Sequence, residues 1–221
     1  GSWTADLRGV VRAWRDDGRS TPAVGAALAR AGADQCSPKL DAHERALPLE
    51  IDATYVFGTY LGGTLSETGS AAAVDRDGSA IVVGFTFSID YPIVRAMQRR
   101  RAGAEDNTDM FVTRLAPDGR SIEFSTYVGG GGTDHATGVA LDPAGNIAVS
   151  GFTLSGDFPL TKPLQQHAGG LSDAVALKLR RDGSDFVFGT WLGGAREDEA
   201  EGLAVDRDGR MYLTGHTSSE D

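Results

Sequence analysis

The segment Phe57-Gly58-Thr59-Tyr60-Leu61-Gly62-Gly63 recurs twice in this chain of 221 residues. It returns as Phe124-Ser125-Thr126-Tyr127-Val128-Gly129-Gly130 and as Phe188-Gly189-Thr190-Trp191-Leu192-Gly193-Gly194, so the copies start at 57, 124 and 188, steps of 67 and 64 residues. A period of this length marks a repeat architecture, in which each copy is one supersecondary unit that buries its apolar face against its neighbours.

Other segments keep the same phase. Asp109–Leu115 matches Asp173–Leu179. A short apolar strand recurs at Ala71–Asp75, Gly138–Asp142 and Gly202–Asp206, and another at Ile81–Thr86, Ile147–Thr153 and Met211–Thr217. Between them lie the turn signals Arg76-Asp77-Gly78, Pro143-Ala144-Gly145, Arg181-Asp182-Gly183 and Arg207-Asp208-Gly209, where Asp caps its own backbone and Gly accepts φ > 0. Four short strands per unit, joined by hairpin turns, predict an all-β chain of propeller-type, four-stranded antiparallel blades. Hairpins argue against a parallel β-helix, and an immunoglobulin-type sandwich needs no sequence repeat. About three blades are expected, over 47–95, 96–159 and 160–221.

The residues before the repeat read differently. Gly1-Ser2 resembles a cloning scar. Leu7, Val10, Val11 and Trp14 form a helical stripe, and Thr21-Pro22 is a helix-start signal followed by Val24, Ala27, Leu28 and Ala31. Residues 3–46 are therefore expected to be a short helical segment and linker. From Leu47 the alternation of Leu47, Leu49, Ile51, Tyr55 and Phe57 is that of a strand.

Composition narrows the partners. The net charge of −10 repels phosphate backbones, so nucleic acid is not an expected partner. No run approaches the ~20 apolar residues of a membrane-spanning helix. Cys36 is the sole cysteine, which excludes an intrachain disulfide. No signal peptide is visible. The 30 glycines cluster at turns without a three-residue period, as suits many short strands.

The ordered run Phe124–Gly130, Gly138–Asp142, Gly145–Thr153 and Asp157-Phe158-Pro159, together with Asp173–Leu179 and the lead-in Leu47–Asp52, resembles the bacterial SBBP repeat, a β-propeller repeat family. The resemblance covers about residues 47–221. It implies a propeller used as a scaffold in exported or cell-surface bacterial proteins, and it brings no catalytic residue set. Two departures stand out: the third copy stops before a Phe-Pro, and the first has only Leu47–Asp52 in place of the Asp-x-Phe-Val strand.

Three blades are fewer than the ~4–8 of closed propellers. Three completions are open: a second copy of the chain across a two-fold axis, further sequence, or an arc capped by the N-terminal helices.

Candidate chemistry is sparse. Asp75-Arg76-Asp77-Gly78 and Asp206-Arg207-Asp208-Gly209 resemble a short calcium loop, but two carboxylates fall short of the six to eight oxygens that Ca²⁺ takes, so capped turns are the preferred reading. Glu67, Asp134 and Asp198 recur five residues after the first Gly of each Gly-Gly. One carboxylate per unit is expected to hold a loop by accepting backbone N–H bonds, the other option being a cation-binding ring. The run Glu197, Asp198, Glu199 and Glu201 is expected to be a solvated loop, and His43, His135, His167 and His216, which show no zinc spacing, are expected to be satisfied or surface histidines. Tyr60, Tyr127 and Trp191 are expected in the core. Two polar loops, with Arg99, Arg100 and Arg101 in one and Gln165, Gln166 and His167 in the other, are the candidate interaction surfaces.

The leading functional expectation is a non-enzymatic scaffold for protein–protein or surface interaction, with no cofactor, completed by self-association or further sequence. The alternatives are an adaptor whose N-terminal helices dock another protein, and a polysaccharide-acting hydrolase or lyase using the channel.

Overall fold

The computed structural model of the chain describes residues 2–13 and 49–220. Twelve strands are present: β1 (Ser2–Ala13), β2 (Leu49–Leu61), β3 (Glu67–Val74), β4 (Ala80–Thr86), β5 (Asp109–Leu115), β6 (Ile122–Val128), β7 (Asp134–Leu141), β8 (Ile147–Thr153), β9 (Asp173–Leu179), β10 (Phe186–Leu192), β11 (Asp198–Val205) and β12 (Met211–Thr217). There is no helix among the described residues. Two compact units result, one of Gly1–Thr4 with Thr59–Asp221 and one of Ala5–Gly58.

β1 and β2 form a two-stranded sheet. Of the expected helical segment 3–46, only the part up to Ala13 is described, and it falls in β1. The second expected helix, from Thr21, lies outside the described residues.

The remaining strands follow one rule. Strands β3-β4-β5-β6 form one antiparallel sheet and β7-β8-β9-β10 a second, each with neighbours in chain order, and β11-β12 form a two-stranded third. The first hairpin of each carries the same bulge, between Gly69 and Ala71, Ala136 and Gly138, and Ala200 and Gly202. The turns are capped as expected: Asp142 Oδ1 accepts from the Asn146 N–H at 2.9 Å, Asp206 Oδ1 from the Arg210 N–H at 2.9 Å and Asp77 Oδ1 from the Ser79 N–H at 2.9 Å. The glycines that close them, such as Gly145 (φ 82°) and Gly209 (φ 79°), sit in the left-handed region that side chains resist.

The sheets begin at Glu67 and Asp134, so each straddles the sequence blocks drawn at 95 and 159. They stack in series. One face of the first sheet, with Ile81, Val83, Met110, Val112, Phe124 and Val128, packs on the opposite-parity face of the second, with Ile147, Val149, Val175, Leu177, Leu179 and Trp191. The first strands lie together: β7 neighbours both β3 and β11. A second cluster, Leu61, Val82, Tyr91, Phe111 and Tyr127, covers the far side of the first sheet.

The fourth strands do not stand bare. The segment after Pro92 runs along β6 and exchanges two hydrogen bonds between Val94 and Ser125 (3.1 and 2.8 Å). Thr161 does the same with Gly189 of β10 (3.2 and 2.8 Å). Such cover shields an edge from unwanted pairing.

Candidate functional site

The repeated acids occupy one structural position. Glu67, Asp134 and Asp198 open β3, β7 and β11, and each is the cross-strand partner of a threonine at the end of the next strand: Thr86, Thr153 and Thr217. Thr86 donates its hydroxyl to Glu67 Oε1 at 2.9 Å, and Thr153 donates to Asp134 Oδ1. The Asp residues also collect the loop ahead of them. Gly130 N–H donates to Asp134 Oδ2 at 2.8 Å and Gly194 N–H to Asp198 Oδ2 at 2.7 Å. Gly-Gly is needed because the chain passes against carboxylates on both sides: a Cβ on Gly129 would lie 2.6 Å from both Asp109 Cγ and Asp134 Oδ2.

Two further elements of this clasp were not read as such from the sequence, although Gln165 stood among the candidate loop residues. One is Thr-x-Ser-x-Asp, at Thr86-Ser88-Asp90, Thr153-Ser155-Asp157 and Thr217-Ser219-Asp221. Each serine N–H donates to its threonine Oγ1 (2.8, 2.9 and 3.1 Å), and Ser155 and Ser219 donate their hydroxyls to Asp134 and Asp198 (2.9 and 2.7 Å). Asp90 and Asp157 then take the N–H groups of Thr64 and Gly131 at 2.9 and 2.7 Å. The other is a glutamine pair. Gln98 Oε1 accepts from Gly129 N–H at 3.1 Å and Gln165 Oε1 from Gly193 N–H at 3.0 Å. The signal was present, since 98 and 165 are separated by the same 67 residues as Phe57 and Phe124.

Behind the clasp lies a second acid. Asp109 and Asp173 open β5 and β9 opposite Thr86 and Thr153. Asp109 Oδ2 accepts from Gln98 Nε2 at 2.7 Å and from Ala102 N–H at 3.1 Å, while its Oδ1 is buried without a hydrogen bond. Burial pushes Asp109 up to about 7; the Ala102 N–H works against this and the charge of Asp134 adds to it. Burial also raises Asp134, despite its three donors. In Asp198 burial opposes ionisation too, but Thr217, Gly194 and Ser219 outweigh it and the carboxyl is lowered.

A charged node ties the two complete sheets at the turns. Arg114, buried on β5, pairs with Asp75 at 2.9 Å, Asp77 at 2.8 Å and Glu123 at 2.5 Å, and Arg181 from the second sheet reaches the same Asp75 and Asp77 at 2.9 and 2.7 Å. Burial works against the Asp75 carboxylate, yet the Arg76 N–H and the Arg114 guanidinium hold it below its usual range. The calcium-like turns are thus occupied by caps and arginines. Among the described residues no group of three or more His, Cys, Asp and Glu side chains is placed to hold a metal ion.

The candidate loops divide into anchors and free surface. Arg101 donates to the carbonyls of Ala104 (2.9 Å) and Asn107, and Gln165 holds Gly193 and His167, so both serve their loops. Arg99, Arg100, Gln166 and His167 are exposed. His135 lies between Phe85 and Phe152, with ring centroids 3.7 and 4.9 Å away, and burial lowers its pKa. His216 meets Glu201 at 3.3 Å. Of the repeated aromatics, Tyr127 and Trp191 are core at 0% and 4% exposure, but Tyr60 is 73% exposed. The expectation fails at Tyr60 because β2 belongs to no four-stranded sheet.

No family model matches the chain, and no curated protein matches it. Among the described residues no helix is long and apolar enough to cross a membrane.

Proposed function

We propose that the chain is a non-enzymatic scaffold of propeller-type blades, whose third blade is finished by association or by further sequence. The observation that carries this reading is the contrast between equivalent strands. β4 and β8 are buried along nearly their whole length at the centre of four-stranded sheets, whereas β12, in the same place in its hairpin, is exposed or half-exposed throughout. Adjacent first strands, sheets stacked in series and the resemblance of 47–221 to the SBBP repeat all support blades arranged about an axis. The repeated carboxylates support a structural role, because each is engaged by threonine or loop donors.

Sedimentation equilibrium over a range of concentrations tests the reading. If the chain completes itself, species heavier than the 23.2 kDa monomer form. A strict monomer at high concentration removes self-association and leaves completion by further sequence.

A further inference from the structure

The third hairpin has a defined partner chemistry. Among the described residues, no strand pairs with the free edge of β12. A groove of about 440 Å³ opens beside it, lined by Ala176, Phe188 and Leu192 of the second sheet and by Met211 and Leu213 of β12. Between the two complete sheets the equivalent walls are Val112, Phe124 and Val128 on one side and Ile147 and Val149 on the other, and there the space is closed by Val175, Leu177 and Leu179 of β9 with Trp191 of β10.

The strands that fill this position share a pattern. In β5 it is Asp-Met-Phe-Val-Thr-Arg-Leu and in β9 Asp-Ala-Val-Ala-Leu-Lys-Leu. The first residue sits opposite the threonine, Thr86 or Thr153. The sixth is a base that reaches the aspartate at the start of the neighbouring turn: Arg114 to Asp75 at 2.9 Å and Lys178 to Asp142 at 3.6 Å. The third hairpin offers the same two fixtures, Thr217 and Asp206, but among the described residues Asp206 is met from its own hairpin alone, by Arg210 at 3.4 Å and the Tyr212 hydroxyl at 2.9 Å. Tyr212, at the register position of the partners of Arg114 and Lys178, is 54% exposed.

We infer that the β12 edge is a docking site for a partner strand of the form Asp-x-(Val/Phe)-x-x-(Lys/Arg)-Leu, added antiparallel with its Asp at Thr217 and its base at Asp206. Backbone hydrogen bonds supply the affinity, and the alternate side chains supply the register. A second copy is not the donor, because its own β5 and β9 are central strands. The inference rests on the scaffold reading.

The probe is a fluorescein-labelled synthetic peptide of residues 172–193, β9 with β10, titrated into the full chain. Saturable one-to-one binding is expected. Lys178→Gln in the peptide weakens it at least fivefold against the wild-type chain and less than twofold against Asp206→Asn, which retains the turn cap. Leu213→Glu, checked for wild-type circular dichroism, weakens it at least tenfold. The inference is overturned by absent binding, by equal binding of a peptide with Val175, Leu177 and Leu179 changed to Ser, or by a charge effect that survives Asp206→Asn. Concentration-dependent protection of β12 in the chain alone that the peptide cannot displace also overturns it and assigns the edge to a second copy. If the peptide fails while the chain still associates, the scaffold reading stands; if neither occurs, both fall.

Discussion

Asp134 and Thr153 face each other across the β7–β8 hairpin, and the threonine hydroxyl donates to a carboxylate that also holds Gly130 and Ser155. The pair joins the start of one strand, the end of the next and the loop before both. Removing the acceptor strands three donors in a buried place. Asp134→Ala is expected to cost roughly 3 kcal/mol in urea unfolding. Asp198→Ala should cost clearly less, because β12 stands in water that can serve the freed donors. Equal losses at the two positions would contradict the account.

Asp109 makes stability depend on pH. Its folded pKa of about 7 lies above the unfolded value of roughly 3.9, so the folded state binds the proton more tightly. The resulting stabilisation is complete below about pH 4 and is lost as pH rises through about 7. The melting temperature of the wild type relative to Asp109→Asn is therefore expected to fall between pH 5 and 8 and then level off. A constant difference across that range would show that Asp109 ionises normally.

Gly151 tests the close approach of the hairpin strands. A Cβ there would overlap the His135 carbonyl oxygen, as at Gly84 with Thr68 and Gly215 with Glu199. Gly151→Ala is expected to destabilise by about 2–3 kcal/mol, the scale of an overpacked core, against a smaller loss for Gly215→Ala on the exposed strand. Thermal unfolding of the two variants side by side gives the comparison.

Arg114 carries the node between sheets. Arg114→Met leaves the buried Asp75 with the Arg76 N–H and Arg181 but without its buried guanidinium, and the expected loss is roughly 3 kcal/mol. Asp75→Asn in the same background should recover part of it. No recovery would mean that Arg114 acts through packing alone.

Much of the fold was legible in the residues. Period, turn chemistry and alternation foretold antiparallel strands, because Asp-Gly turns and apolar pairs act locally. A repeat shows its period but not which hydrogen bonds close a unit. The clasp was half legible. Glu67, Asp134 and Asp198 stood out by type and spacing, while Gln98 did not and Gln165 stood out only as part of a polar loop. Tyr60 failed because burial depends on a neighbouring sheet that a position in the repeat does not guarantee.

Hydrogen exchange of equivalent strands tests the central claim most directly, that β12 is an open edge beside two complete four-stranded sheets. In dilute solution, amides of Ala80–Thr86 and Ile147–Thr153 should be strongly protected and several within Met211–Thr217 should exchange at least tenfold faster, slowing on addition of the 172–193 peptide. Equal protection of all three strands in the dilute chain, unchanged by the peptide, would contradict the account.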